Sequence, residues 1–517
     1  MSLQIIINNQ KVALSDDIEL IVKKYNPLFK DRNEDATYPL TLDLGSNRHI
    51  FGFPERWNNK EFYTSYPAQV LFGPYVILNG KCVISDINDT EIEVCLMTDM
   101  TSFWSVCKNR YLDELDLGGE SFSNIAAMMT AFTSSLEGNK DYVVCPLFDE
   151  YAGNIYIDLY EPFYNYLHPD TSPTFKDRIL PTGKGTCVFT PFVRLSKLVL
   201  KVFDAMEYRI IRNDMASDVL FNDILLICRA NGMHSYNLKP GFNYNKRVPH
   251  ILVSDLLEEI ENKFGYRFLV DDNNKSVSIV SFCMESGIFS LETQDSLSRH
   301  LIEEEDRKSN FIFKDKENPD IYIQEYYEDA ELEYVYGSSE DAESIECISG
   351  IVGCHSVNMK MGWVNSMAVG AQYENDTAYL QTVRTEFRLA VYRGFICEGI
   401  PSVPIVLPYP MASPEPFATP STQNNISLLW FGKNNLFSRF HKRQIELIAN
   451  TRIENEMVIM GYLTYITDLK RLFSDVVLTR NMTFRCYEYE LRFSTHSVVE
   501  CILRCYNEGN LSFKSLP

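Results

Sequence analysis

The sequence predicts an α+β fold, β-rich and divided into several domains, and three observations lead there. A chain of 517 residues is too long for one hydrophobic core and fits about three to five units of ~100–200 residues each. Phe (32) and Tyr (30) are abundant alongside Ile and Val, side chains that suit a pleated, half-buried surface. The third observation is an internal echo. Residues 192–214 and 250–272 are two versions of one helix–strand module, in which Ser196, Leu198, Tyr208, Arg209 and Asp214 recur as Ser254, Leu256, Tyr266, Arg267 and Asp272.

Residues 1–117 make the first expected domain, a run of strands and turns. Segment 4–14 reads as a hairpin about Asn8 and Asn9, and 18–22 as the next strand. Segments 68–72, 76–78, 81–85 and 91–95 form a meander, broken at Gly73 and Pro74, at Asn79 and Gly80, and at Asn88 and Asp89. Short strands so spaced predict a small barrel or sandwich. Residues 118–190 read as an irregular α+β connector with one helix at 123–132, followed by loops bearing Tyr and Pro.

The duplicated module occupies 191–283. In the first copy Leu195, Leu198, Val199, Val202 and Met206 fall at i, i+3, i+4, i+7 and i+11. Val253, Leu256, Leu257, Ile260 and Phe264 do the same in the second, so each set is one stripe of a helix. A short strand and an Asn/Asp turn follow in both, and a strand at 276–280 closes the region. No cluster of His, Cys or carboxylates is read on the opposite face of either helix. The module therefore reads as one that packs and presents surface. Two ordinary amphipathic helices that converged would give the same pattern.

Residues 284–400 are β-rich again, with strands at 310–313, 320–324 and 387–392. Within them, 325–346 carries nine Asp or Glu, a density that predicts a solvated loop. Residues 401–425 read as a Pro-rich linker. Seven of the 22 prolines lie between Pro401 and Pro420, which rules out a helix or a central strand. Residues 426–517 close the chain as an α+β domain, with a helix at 436–449 and strands at 481–489 and 498–505.

Composition excludes several classes. Gripping nucleic acid requires clustered Lys and Arg to neutralise phosphates; this chain carries a net charge of −22. An acidic wall does permit DNA to pass without adhering, and plain solubility explains the charge as well. The thirteen cysteines stand singly with no CxxC, several of them in apolar runs, as Cys95 and Cys228 are. That usage predicts thiols that behave as small hydrophobes in a reducing cytoplasm. The N-terminal residues lack the pattern of a signal peptide. No uncharged apolar stretch approaches ~18 residues, so neither a span nor membrane anchoring is expected.

The motifs that declare an enzyme are missing: no GxSxG, HExxH, GxGxxG after a strand, or Walker loop occurs. Residues 181–186 only superficially resemble a phosphate loop. Cys347, Cys354 and His355 would need a fourth ligand at normal spacing to hold a metal. The other histidines are isolated in sequence. Aromatics at 156–166 suit sugar stacking, and in a Tyr-rich β protein suit sheet packing better. No catalytic, cofactor-binding or metal residue is therefore assigned, and no cofactor is expected.

Several segments together resemble the baseplate hub, or tail-tip hub, proteins of tailed phages and prophages, relatives of contractile-tail and type VI secretion spike hubs. The opening layout carries the likeness: Asn26, Pro27, Leu28 and Phe29, then residues 38–42, Gly52 to Pro54, and Tyr66, Pro67 and Ala68. Residues 248–257, with Phe264 closing the helix, are similar to the family's helix-bearing domain. The tail from Ser427 to Trp430 through Phe440, Thr451, Arg452, Tyr462 and Leu463 resembles its closing segment. The likeness is one of layout over most of the chain. It departs from the larger hub–needle fusions in lacking a spike repeat or a lysozyme-like domain.

The resemblance implies a homotrimer in which each subunit carries two small β-barrel-like domains, here 1–117 and 284–400, flanking the helix–strand modules. Six barrels would match a hexameric tail tube or distal tail protein above, and threefold symmetry would fit a tail spike protein below, with DNA as a passing cargo. Such a protein is made in the bacterial cytoplasm and sits at the virion tail tip, and it is not an enzyme. The alternatives are a tail-associated cell-wall hydrolase and a carbohydrate-binding surface protein.

Overall fold

Asn8 and Asn9 turn the chain as the sequence implies. Both adopt left-handed backbone, with φ of 52° and 59°, the conformation of a two-residue turn whose twist matches antiparallel strands. The turn joins Leu3–Ile7 to Gln10–Lys11, placing Ile7 opposite Gln10. In the computed structural model these strands open an N-terminal sheet. Its order is Gln10–Lys11, Leu3–Ile7, Ser65–Phe72, Tyr75–Ile87, Glu91–Thr98 and Leu40–Asp43, antiparallel throughout. The structure describes residues 2–15, 18–29, 40–56, 65–98, 103–138, 140–149, 163–165, 167–168, 174–175, 188–219, 221–228, 233–234, 238–272, 274–283, 287–290, 296–302, 308–315, 333–354, 362–364, 387–398, 405–411, 426–460, 469–479, 482–496 and 498–510.

The meander differs from expectation at one turn. Asn79 and Gly80 lie inside the strand Tyr75–Ile87, because that strand is paired on both sides: Asn79 faces Gln69 and Gly80 faces Thr98. Two ladders override one local turn signal. The turn at Asn88 forms as expected, its side-chain oxygen accepting from the Thr90 and Glu91 amides at 2.9 and 2.7 Å.

A C-terminal sheet packs on this one. Its order is Ile288–Ser290, Val476–Thr479, Met482–Ser494, Val498–Asn510, Ile453–Met460 and Ser296–Leu301, and Glu19–Tyr25 pairs with Met482–Ser494. Ile5, Val70, Phe72 and Leu96 share one apolar core with Leu20, Val22, Phe484, Phe493 and Leu503. The rings of Phe72 and Phe493 lie 5.4 Å apart. The strand at 19–25 follows the first hairpin in sequence yet belongs to the opposite sheet.

Residues 284–400 therefore divide their described strands among several sheets. Ile288–Ser290 and Ser296–Leu301 join the C-terminal sheet. Phe311–Asp315 lies between Glu333–Tyr336 and Glu343–Cys347 in a sheet of three. Arg388–Glu398 pairs with Ile224–Ile227. The sheet that faces the N-terminal one is built mainly from the C-terminal strands Ile453–Met460, Val476–Thr479, Met482–Ser494 and Val498–Asn510, with help from Glu19–Tyr25, Ile288–Ser290 and Ser296–Leu301. Pairing over such separations leaves no trace in local periodicity.

Two further expectations change. Part of the acidic stretch forms the strands Glu333–Tyr336 and Glu343–Cys347; they flank Phe311–Asp315, so their acids point outward, Glu343 to Lys308 at 2.8 Å and Glu346 to Lys314 at 2.7 Å. Within the Pro-rich region Ile405–Met411 pairs antiparallel with Arg388–Glu398, a strand and not a free linker. It lies off the main path of its sheet, where missing amide donors are tolerated. Residues 156–160, 181–186, 320–324 and 355 lie outside the described residues.

The two module copies come together. Helices Leu195–Ala205 and Val253–Phe264 bury both stripes in a single core, with only Met206 partly exposed. Their strands, Arg209–Asn213 and Tyr266–Asp271, lie on either side of Ser276–Ser281, one parallel to it and one antiparallel. The shared Tyr and Asp bind across the copies: Tyr208 Oη donates to Asp272. The architecture is α+β and β-rich.

Leu198 and Leu256 occupy matching, fully buried positions. Leu198→Ala and Leu256→Ala are each expected to cost ~2–5 kcal/mol, the range for a buried leucine truncated in a packed core. Chemical denaturation read by circular dichroism checks this through a lowered midpoint in both variants.

Candidate functional site

Two buried joints concentrate polar groups. The first is at Asn26 to Phe29, where the chain passes from the C-terminal sheet to the second module. Asn26 is 1 % exposed. Its Nδ2 donates to the Cys486 and Phe473 carbonyls at 2.8 and 3.2 Å, and its Oδ1 accepts from the Leu28 amide at 3.0 Å. The Pro27 carbonyl accepts from Arg267 Nε at 3.0 Å, and the Leu28 carbonyl accepts from Gln444 Nε2. Phe29 packs edge-on against Phe282 and Tyr506. Every member of this tetrapeptide is used.

The second joint is a cluster of charge with almost no exposure. Lys263 stands in the last turn of helix Val253–Phe264, one turn after Glu259. Lys263 Nζ lies 2.9 Å from Asp315 Oδ1, 2.9 Å from Ser349 Oγ and 3.8 Å from Glu259 Oε1. Ser349 Oγ also bonds Glu259 Oε1, while Glu259 Oε2 accepts from the Ile348 amide at 2.6 Å. Trp430 Nε1 donates to Asp315 Oδ1 at 3.0 Å. Lys263 and Ser349 are 0 % exposed and Glu259 is 2 %.

Local sequence places these groups. Asp315 ends the strand Phe311–Asp315, and Ser349 follows the paired strand Glu343–Cys347. Gly265 ends the helix with a left-handed φ of 63° and approaches the helical turn Phe437–His441 so closely that a Cβ would meet the Phe440 carbonyl at 2.8 Å. That approach brings His441 Nε2 within 3.1 Å of the Lys263 carbonyl and its ring against Phe313 and Trp430.

Burial dominates the electrostatics. It raises the Glu259 and Asp315 carboxyls, with the ammonium of Lys263 opposing in both cases. Burial pulls Lys263 down, but Asp315 and Glu259 outweigh it and leave the ammonium favoured. The Cys347 thiol is pushed well up by burial, which disfavours its thiolate. Lys263 beside Ser349 has the makeup of a Ser–Lys pair, but the protonated amine is no base and a substrate has no route to it. His441 is pushed down to about 3 by burial, aided by Arg267 and opposed by its bond to the Lys263 backbone.

The metal reading of Cys347, Cys354 and His355 gains no support: Cys347 packs in the core, the Cys354 side chain and His355 lie outside the described residues, and the described residues hold no group of three potential ligands. His250 pairs with Asp113 at 2.8 Å and stacks on Tyr111, bracing the entry to helix Val253–Phe264. An open hollow of about 330 Å³ is lined by Asp116, Gly118, Gly119, Lys201 and Asp204. No helix among the described residues is long and apolar enough to cross a membrane.

The charged cluster was not legible in the sequence. Glu259 followed by Lys263 at i+4 has the spacing of a solvated ion pair, and it lies off the apolar stripe. Its burial depends on the strand at 311–315 and on Trp430, neither of them near in sequence. The face read as carrying no cluster of His, Cys or carboxylates holds Glu259 in the interior.

The fold and its joints define a β-rich α+β assembly whose described ionic groups largely join elements to one another. No family model matches the chain, and no curated protein matches it. Among solved structures it is similar to the tail protein from Neisseria meningitidis MC58, at 7% identity and a TM-score of 0.33, with 98% of this chain and 97% of that one covered. It is also similar to the 43 kDa tail protein of prophage MuSo2 from Shewanella oneidensis, at 7% identity and a TM-score of 0.34, covering 98% and 96%. Likeness as loose as this defines neither fold nor function.

Two outcomes follow from the cluster. Lys263→Met leaves buried carboxyls without their cation and is expected to cost ~3–5 kcal/mol, read as a fall in denaturation midpoint. For His441 the unfolded chain titrates near 6.5 and the folded one at about 3, so protons bind the unfolded state first. Its contribution is complete above pH 6.5 and is lost as pH falls toward 3, at up to ~1.4 kcal/mol per unit. Denaturation of wild type and His441→Phe across that window checks it: the wild type is expected to lose stability faster.

Proposed function

We propose that the chain is a structural protein of a phage or prophage tail, a trimeric baseplate hub at the virion tail tip. It would join a hexameric tail tube or distal tail protein to a tail spike protein and surround the path of the DNA. The observation that carries this reading is the pair of sheets, the N-terminal one antiparallel and the C-terminal one antiparallel except where Ile288–Ser290 runs parallel to Val476–Thr479, packed on one core beside the helix-bearing centre. In the hub reading each subunit brings two β-barrel-like units to a threefold ring that meets a sixfold one; the two sheets, which share one core, would supply the β surfaces for it.

The residues that carry the family resemblance support it further, because they serve as joints. Asn26 to Phe29 link the C-terminal sheet to the second module. Tyr66 donates to the Phe51 carbonyl at 2.9 Å within the N-terminal core. Trp430 and Phe440 pack about the buried charges and Gly265. Ionic groups spent on internal joints fit a part that works by its surfaces, with no centre open to a substrate among them. The acidic composition suits a lumen that DNA traverses without adhering.

Native mass spectrometry of the purified chain tests the proposal. A stable trimer is expected, held by interfaces of the obligate class, ~2,000 Å² or more. A monomer at micromolar concentration would overturn it.

A further inference from the structure

The buried joint at Lys263 has the composition of a reaction centre whose reactants are its own side chains. An amine and a carboxyl stand 2.9 Å apart, 52 residues apart in sequence, on a helix and on a strand. They are enclosed by Phe313, Trp430, His441 and Cys347. No substrate can enter, so any chemistry available here joins residues to one another.

We propose that Lys263 and Asp315 form an intramolecular isopeptide bond, with Glu259 as the proton shuttle and Ser349 as its relay. Each requirement is met by a named contact. The nucleophile is Lys263 Nζ, once it has given up a proton. Ser349 Oγ, at 2.9 Å, is placed to receive that proton and touches Glu259 Oε1 on its other side. The electrophile is the Asp315 carboxyl. Trp430 Nε1 donates to its Oδ1 at 3.0 Å, where negative charge grows as the amine attacks, and a fixed donor in a dry site is worth more there than in water. Holding amine and carboxyl in contact replaces an encounter in solution.

The balance closes without an oxidant or a further reactant. One C–N bond forms between Nζ and Asp315 Cγ, and one C–O bond of that carboxyl breaks. Two protons of the ammonium leave with the oxygen as water, the first carried through Ser349 and Glu259. Glu259 ends as it began. Burial raises both carboxyls, but the same carboxyls hold Lys263 as an ammonium at rest, so attack waits on proton transfer through Ser349. A low dielectric narrows the gap between the ion pair and its neutral, reactive tautomer. The product would tie the second module covalently to the sheet at 311–347.

The intact mass of the purified full chain, measured after denaturation, decides the matter. The wild type is expected to be lighter than its sequence by one water, and peptide mapping is expected to find a branched peptide joining Lys263 to Asp315. Lys263→Arg and Asp315→Ala are expected at full mass. Glu259→Gln, which keeps both reacting groups, is expected at full mass or to lose water many times more slowly. A folded wild type that keeps its full mass on prolonged incubation overturns the proposal. So does a missing water that maps elsewhere, such as a succinimide at another Asp. Because the wild type alone gives this answer, variants that fail to fold do not blur it.

Discussion

Strand Glu19–Tyr25 ties the two ends of the chain together, and most of the β architecture depends on that pairing. It follows the first hairpin in sequence but lies against Met482–Ser494, with Leu20 opposite Phe493 and Val22 opposite Leu491. Its inward residues join the core shared by both sheets. Neither sheet can then shed its partner without exposing Ile5, Val70 and Phe72 on one side or Phe484, Phe493 and Leu503 on the other. Apolar burial at ~25 cal/mol per Å² makes such exposure costly. Asn26, just beyond the strand, fixes the exit by bonding to two carbonyls of the opposite end.

The centre of the molecule uses a different device. Two copies of a helix–strand module bury their stripes together and share a sheet through Ser276–Ser281. Polar groups at their margins are spent on joints. Asp218 receives both Arg439 Nη2 bonds, at 2.8 and 2.9 Å, and Asp214 is gripped by Arg212 at 2.8 and 2.9 Å. Arg212 also reaches Asp475 of the C-terminal region at 3.4 Å. Removing one partner from such a pair costs more than the pair contributes, because the other charge stays buried. The buried cluster at Lys263 carries this logic furthest, and there enclosure also gives the groups a reaction open to them. A body built this way suits the proposed hub, which must hold its shape while other proteins press on it.

Local signals made the elements legible, and non-local pairing hid the rest. The stripes of both helices, the left-handed turn at Asn8 and Asn9, and the Asn88 turn follow from sequence because neighbours within a few residues decide them. Asn79 and Gly80 misled because two flanking strands claimed them. The acidic residues at 333–346 were read as loop, since their alternation with Tyr334, Tyr336 and Ile345 was masked by charge density. A second barrel-like domain was expected at 284–400, whereas the sheet that packs on the N-terminal one is assembled mainly from the C-terminal region, by pairings as distant as Glu19 with Ser494. Glu259 and Lys263 looked like a surface pair, and only distant Asp315 and Trp430 make them interior.

The central claim is that the two sheets and the chain's two ends form one cooperative unit. Native-state hydrogen exchange followed by mass spectrometry tests it most directly, because units that open together share one opening free energy. Amides of Leu3–Ile7 and Ser65–Phe72 are predicted to exchange with the same free energy, and the same denaturant dependence, as those of Met482–Ser494. Exchange of the N-terminal strands while Met482–Ser494 stays protected would contradict the account.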